Sequence, residues 1–186
     1  MRTALKTSAV LVAAGAALAL GLPGPAAAGS AERAAAPRAA SVDVQQVTLR
    51  LASDPGQVAN VRGASHENGA AIIQWPLSRT ANERWEPEAT GGGYYRFRSV
   101  ESGLCLNVKG GGNADGAQII QWSCGTAANE QWRFEPKGTG YQIVARSSGK
   151  CLNVSGGVGQ GRNLIQYTCT GAGAANDVWL AVAEDL

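Results

Sequence analysis

The chain has a single histidine, His66, and no nucleophile motif surrounds it. That is poor material for a Ser/His/Asp triad, and His66 reads as a solvated loop residue. The glycine tracts Gly91-Gly92-Gly93 and Gly110-Gly111-Gly112 lack the Lys-Ser/Thr that would follow in a phosphate-binding loop. They read as turns. Helical periodicity is missing too: beyond the N-terminal segment no window sustains it for about ten residues. A second apolar run able to span a bilayer is also absent, so no membrane insertion is expected.

What is present at the N-terminus is a short basic stretch with Arg2 and Lys6, followed by an almost uncharged Ala/Val/Leu run from Ser8 to Leu22. Pro23, Pro25 and Ala26-Ala27-Ala28 close it. This pattern predicts a secretory signal over residues 1–28, cut between Ala28 and Gly29, hence a secreted, extracellular protein. Residues 29–45 are rich in Ala, Arg, Ser and Pro without hydrophobic periodicity and read as a flexible linker. The signal carries two of the 16 basic residues and none of the 14 acidic ones, leaving 14 against 14. A neutral mature chain with scattered charges has no electrostatic footprint for nucleic acid or an anionic membrane.

The remaining residues, 46–186, repeat themselves. Asn60, Asn107 and Asn153 are spaced 47 and 46 residues apart, and Trp85, Trp132 and Trp179 are spaced 47 and 47. The repeats run over about residues 46–93, 94–139 and 140–186. Tyr95-Arg96-Phe97-Arg98 alternates like a half-buried strand, and Tyr141 to Val144 is its counterpart one repeat on. Leu104 to Val108 and Ala117 to Trp122 add short strands separated by a Gly/Asn/Asp turn region. Each repeat thus offers about four strands. No unit of that size buries its apolar side alone, so three are expected to close around a shared core. The prediction is one all-β domain with threefold pseudosymmetry.

Four cysteines in an exported chain read as two disulfides. Three pairings are possible, and the repeat symmetry favours one closed loop per repeat, Cys105–Cys124 and Cys151–Cys169. Loops of that size stabilise by about 3 kcal/mol each on the chain-entropy estimate. In the first repeat Val58 and Leu77 replace both cysteines together, the pattern expected of two positions that touch. Zinc is the competing reading of the cysteines, but His66 lies in a different loop of the cysteine-free repeat, so no metal and no cofactor is expected.

The segments "GLCLNV…DGAQIIQWSCGTAANEQW" and "GKCLNV…NLIQYTCTGAGAANDVW" resemble the ricin B-type lectin repeat, also known as a family 13 carbohydrate-binding module. The resemblance covers roughly Val44 to Leu186. It implies a β-trefoil, three four-stranded units around a pseudo-threefold axis. It also implies up to three shallow sites for galactose- or xylose-type glycans.

Two classes of aromatic follow. Trp85, Trp132 and Trp179 occupy the family's QxW tryptophan position and read as core, because a buried Trp carries a large apolar contribution. Trp75, Trp122 and Tyr167 match the family's platform, on which the C–H face of a pyranose stacks. The family's sugar-binding Asp is replaced by Asn60, Asn107 and Asn153, while its pocket Asn is matched by Asn82, Asn129 and Asn176. The Gln of QxW is replaced by Glu83, Glu130 and Asp177. Two readings of these acids stand side by side. Either the pocket keeps a carboxylate that has moved, orienting the Asn or accepting from the sugar, or the acids bind backbone amides at a turn.

Glycosidase chemistry needs two carboxylates in one cleft. Glu86, Glu88, Glu101 and Asp115 form no pair that recurs with the pocket residues. The sequence thus points to a non-catalytic, monomeric, carbohydrate-binding protein whose partners are glycans or polysaccharides. A trefoil without sugar binding, acting as a protein-interaction or inhibitor scaffold, is the alternative that the missing Asp favours.

Overall fold

The computed structural model describes residues 46–184; the expected signal and linker lie outside the described residues. Twelve strands succeed one another, four per repeat. The first repeat holds β1 (Val47–Leu51), β2 (Asp54–Val61), β3 (Ile72–Pro76) and β4 (Arg84–Gly91). The second holds β5 (Tyr94–Ser99), β6 (Cys105–Val108), β7 (Ile119–Trp122) and β8 (Trp132–Lys137). The third holds β9 (Gly140–Ala145), β10 (Cys151–Val154), β11 (Leu164–Tyr167) and β12 (Trp179–Ala183). The only helical pieces among the described residues are single 3-10 turns of three residues.

Six strands close into a barrel. β1 pairs with β4 and β12, β5 with β4 and β8, and β9 with β8 and β12, all antiparallel. Closure removes free sheet edges. The other six form the hairpins β2–β3, β6–β7 and β10–β11. Three bridges join these hairpins in a ring: Ala71 to Ile120, Gln118 to Ile165 and Ile73 to Asn163. These are equivalent positions in the three repeats, so the pseudosymmetry holds at the level of single residues. The architecture is the β-trefoil.

Strand alternation explains what faces where. Ala59, Val61 and Ile72 of the first hairpin point into the core, as do Leu106, Val108 and Ile119 of the second. Trp85, Trp132 and Trp179 are fully buried, and each indole Nε1–H donates to a carbonyl of its own hairpin: Ala59, Leu106 and Leu152. Each core Trp therefore fastens the barrel to its cap while contributing its apolar ring. The disulfides join Cys105 to Cys124 and Cys151 to Cys169, one within each of the last two repeats. Each ties the start of a hairpin to the loop just beyond its second strand.

Candidate carbohydrate site

On the outer face of each hairpin, antiparallel pairing sets an asparagine and an aromatic close together. Asn60 lies opposite Ile73 and Val58 opposite Trp75; Asn107 lies opposite Ile120 and Cys105 opposite Trp122. Asn153 lies opposite Ile165 and Cys151 opposite Tyr167. Residues two apart in a strand share a face, so each Asn and its aromatic sit on one surface, two positions apart along the hairpin. The asparagines are nearly buried, whereas Trp75, Trp122 and Tyr167 are 39%, 47% and 47% exposed. A large aromatic left this open is the informative kind of surface residue.

The second asparagine of each set reaches back across the hairpin. Asn82 Nδ2 donates to Asn60 Oδ1 at 3.0 Å and to the Val61 carbonyl at 3.0 Å. Asn129 Nδ2 does the same with Asn107 Oδ1 at 2.9 Å and Val108 O at 3.0 Å. Asn176 Nδ2 repeats it with Asn153 Oδ1 at 2.8 Å and Val154 O at 2.9 Å. These bonds fix the amide orientations. A carbonyl oxygen accepts only, so the atom facing it must be Nδ2, and that nitrogen in turn must meet an oxygen on the first Asn. Nδ2 of Asn60, Asn107 and Asn153 is left without a protein acceptor among the described residues, yet is not sealed from solvent. It is a free donor in the groove.

The first groove is a cavity of about 470 Å³ bounded by Asn60, Arg62, Ile73, Trp75, Thr80 and Asn82. The second, about 550 Å³, is bounded by Asn107, Lys109, Ile120, Trp122, Ser123 and Asn129. Both offer an apolar wall and a polar end, the composition that fits a pyranose with one C–H face and a rim of hydroxyls.

The acids following the pocket asparagines bind the loops beside the grooves, and Glu130 also borders the second groove. Glu83 is fully buried and accepts from the Ser78 amide at 3.0 Å, the Ser78 hydroxyl at 2.9 Å and the Arg79 amide. Glu130, 2% exposed, accepts from the Gly125 amide at 2.7 Å. Asp177 accepts from the Thr170 amide and hydroxyl, the Ala174 amide and Gln142 Nε2. None of them bonds its neighbouring asparagine. The acids thus accept from loop donors, as the amide-binding reading expects, and none of them orients its neighbouring asparagine by a direct bond. The reason is local: the loop after each platform turns sharply and leaves amides that strand pairing cannot satisfy.

Sequence reasoning passed over Gln74, Gln121 and Gln166, which stand just before the platforms and are buried. Gln121 Nε2 donates to the carbonyls of Ser65 and Glu67 in the first repeat, while its Oε1 accepts from the Ser102 hydroxyl. Gln166 grips Gly112 and Ala114 of the second repeat in the same way. Gln74 Oε1 accepts from the Gly159 amide of the third. Each platform strand thus holds the loop of the preceding repeat. A polar residue recurring inside an apolar strand in all three repeats was the available signal. At the same seam Gly69 has φ +88° and a Cβ there would meet the Trp122 ring at 3.8 Å; Gly161, φ +75°, stands likewise 3.7 Å from Trp75. A positive φ beside the ring suits glycine.

Known proteins place this geometry in context. The chain resembles the designed 3-fold symmetric protein ThreeFoil at 35% identity and TM-score 0.71, over 76% of this chain and 99% of that one. It is similar to an exo-β-1,3-galactanase from Clostridium thermocellum at 30% identity and TM-score 0.70, over 77% of this chain but 31% of that chain. The Rhizoctonia solani agglutinin shares the fold, with 18% identity and TM-score 0.65 over 75% of this chain and 94% of that one. Among proteins of curated function none matches. The profile of the ricin-type β-trefoil lectin domain-like family matches residues 38–122 and 128–185. The chain belongs to that family.

Proposed function

We propose that this is an exported, non-catalytic carbohydrate-binding protein with three shallow sites, Asn60/Trp75/Asn82, Asn107/Trp122/Asn129 and Asn153/Tyr167/Asn176. One observation carries the reading: an exposed aromatic stands beside a bonded pair of asparagines in all three repeats. Stacking on the ring and directional bonds from the amides are the two requirements of pyranose binding. The family's lectin character supports the same reading. Galactose- and xylose-type glycans are the first ligands to test. A β-1,3-galactan joins them because of the galactanase relative.

Glu83, Glu130 and Asp177 act in this scheme as loop holders rather than as sugar contacts. Their commitment to loop donors also speaks against hydrolysis, which needs a carboxylate pair open to the glycosidic bond. Each site alone is shallow. Simultaneous use of several along one polymer raises avidity by roughly 10² to 10⁴ without any new contact. Two disulfides suit an extracellular setting.

The test is a glycan array with the disulfide-intact protein, followed by titration with xylan, lactose and β-1,3-galactan. Binding of at least one polymer, weakened stepwise by Trp75→Ala, Trp122→Ala and Tyr167→Ala, is expected. No bound glycan would make the protein-interaction scaffold the better reading.

A further inference from the structure

The first two grooves each carry a cation among the residues that line them. We propose that the Asn60/Trp75 and Asn107/Trp122 sites prefer saccharides bearing an acidic group, a carboxylate or a sulfate. This rests on the carbohydrate-binding reading and adds the class of ligand.

Three features point the same way. The first is the direction of the amides. The bond from Asn82 commits Oδ1 of Asn60, and that from Asn129 commits Oδ1 of Asn107, so each first asparagine shows the groove an N–H. That donor needs an acceptor on the ligand, and an anionic oxygen accepts roughly twice as strongly as a neutral one.

The second is a cation two residues further on. Arg62 lines the first groove and Lys109 the second. Arg62 is held in place by its Nη2, which donates to the Gly161 carbonyl at 3.1 Å and to Asn163 Oδ1 at 2.9 Å. Those acceptors are neutral, so the guanidinium charge is uncompensated there and its remaining N–H groups keep their fork geometry. Lys109 makes neither an ion pair nor a side-chain hydrogen bond among the described residues. The matching position in the third repeat is Ser155, and the cation nearest to it, Arg162, is turned onto the Ser155 and Gly156 carbonyls.

The third is the fate of the nearby carboxylates. Glu83 is fully buried under its loop and takes no part in lining the first groove. Glu130 borders the second, but it is 2% exposed, its Oε1 holds the Gly125 amide, and Arg96 Nη1 stands 3.8 Å from the same oxygen. The negative charge in each site is thus tucked beneath the loop, whereas the positive charge is at the mouth. A neutral saccharide uses the platform and the amides alone; an acidic one also gains the cation.

The groups are exposed, so the gain is that of a surface ion pair, about two- to five-fold per site, and salt screens it. The experiment compares three trisaccharide probes by titration calorimetry with the disulfide-intact protein: galactotriose, trigalacturonate and a sulfated galactotriose. Each is run at low and at high sodium chloride. The expected result is tighter binding of at least one acidic probe at low salt, with the acid-to-neutral affinity ratio falling toward one at high salt. In the Arg62→Gln/Lys109→Gln double variant that ratio is expected to collapse at low salt as well. Comparison of the two acidic probes tells carboxylate from sulfate recognition. Equal affinities for all three probes, or an acid preference that survives the double variant, would overturn the inference while leaving carbohydrate binding standing. Failure to bind any of the three probes or the polymers would overturn both.

Discussion

Asp115 of the second repeat accepts hydrogen bonds from Thr168 of the third, from its amide at 2.8 Å and its hydroxyl at 3.1 Å. Lys150 Nζ completes the clasp at 2.7 Å. At the preceding seam Asn68 and Ser123 stand in the same relation, with the Ser123 amide donating to Asn68 Oδ1 at 2.7 Å. The last seam is different. There the matching residues are Gln160 and Pro76, and proline has no N–H to donate. Two of the three inter-repeat seams therefore carry this clasp beside the platform aromatic, and the one that closes the ring is held instead by Gln74 and Arg62.

The Asp115 clasp makes a signed pH prediction. The Lys150 bond, foremost, and the Thr168 bonds hold the Asp115 carboxyl below the usual aspartate range. A depressed folded-state value contributes stability above the ordinary pKa, and that contribution is lost as pH falls through the depressed one. Thermal unfolding of the wild type and Asp115→Asn should show a gap near neutral pH that narrows as the solution is acidified below about pH 4. A gap that stays constant with pH would remove the electrostatic account.

Asp177→Asn tests the loop-holding role of the acids. Four donors converge on this fully buried carboxylate, two from Thr170, one from Ala174 and one from Gln142. An amide must turn its NH2 toward some of them, leaving buried donors unsatisfied. The expected loss is about 1–3 kcal/mol in chemical denaturation. Any fall in sugar affinity should follow from loop disorder and not exceed that of Asn176→Ala.

The two classes of tryptophan should separate cleanly. Trp132→Ala empties a fully buried position and removes the bond to Leu106, for an expected loss of about 3–5 kcal/mol. Trp122→Ala, at a 47% exposed ring, should shift stability by no more than about 0.5 kcal/mol and remove binding at its own groove. Unfolding curves and sugar titrations on the two variants check both halves. Retained binding at that groove in the second would exclude the platform role.

Gln121→Ala should act across a repeat boundary. It strips donors from the Ser65 and Glu67 carbonyls and an acceptor from Ser102. We expect a loss of about 1–3 kcal/mol. Hydrogen exchange should rise in the loop from Ser65 to Gly69 of the first repeat, although the mutated residue lies in the second. Exchange confined to the second repeat would contradict the clamp.

Much of this molecule is legible in its sequence. The spacing of Trp85, Trp132 and Trp179 revealed three units, and units too small to hold a core of their own had to share one. The same spacing indicated the Cys105–Cys124 and Cys151–Cys169 loops, and the resemblance to the ricin B-type repeat separated core aromatics from platforms. What a one-dimensional pattern cannot carry is direction. Glu83, Glu130 and Asp177 are adjacent in sequence to the pocket asparagines, yet their side chains turn beneath the loop to meet unpaired amides. The polarity of Asn60, Asn107 and Asn153 was likewise hidden, because it is set by a partner 22 or 23 residues away that is itself fixed by a backbone carbonyl.

By itself, then, the sequence determined an all-β domain and its threefold period, since burial and strand alternation repeat with the chain. The family resemblance added the trefoil topology and the candidate groove residues. The tertiary structure decided which atom each of those residues presents. A hydrogen bond has a donor and an acceptor end, and only neighbours brought together from distant parts of the chain determine which end remains for a ligand.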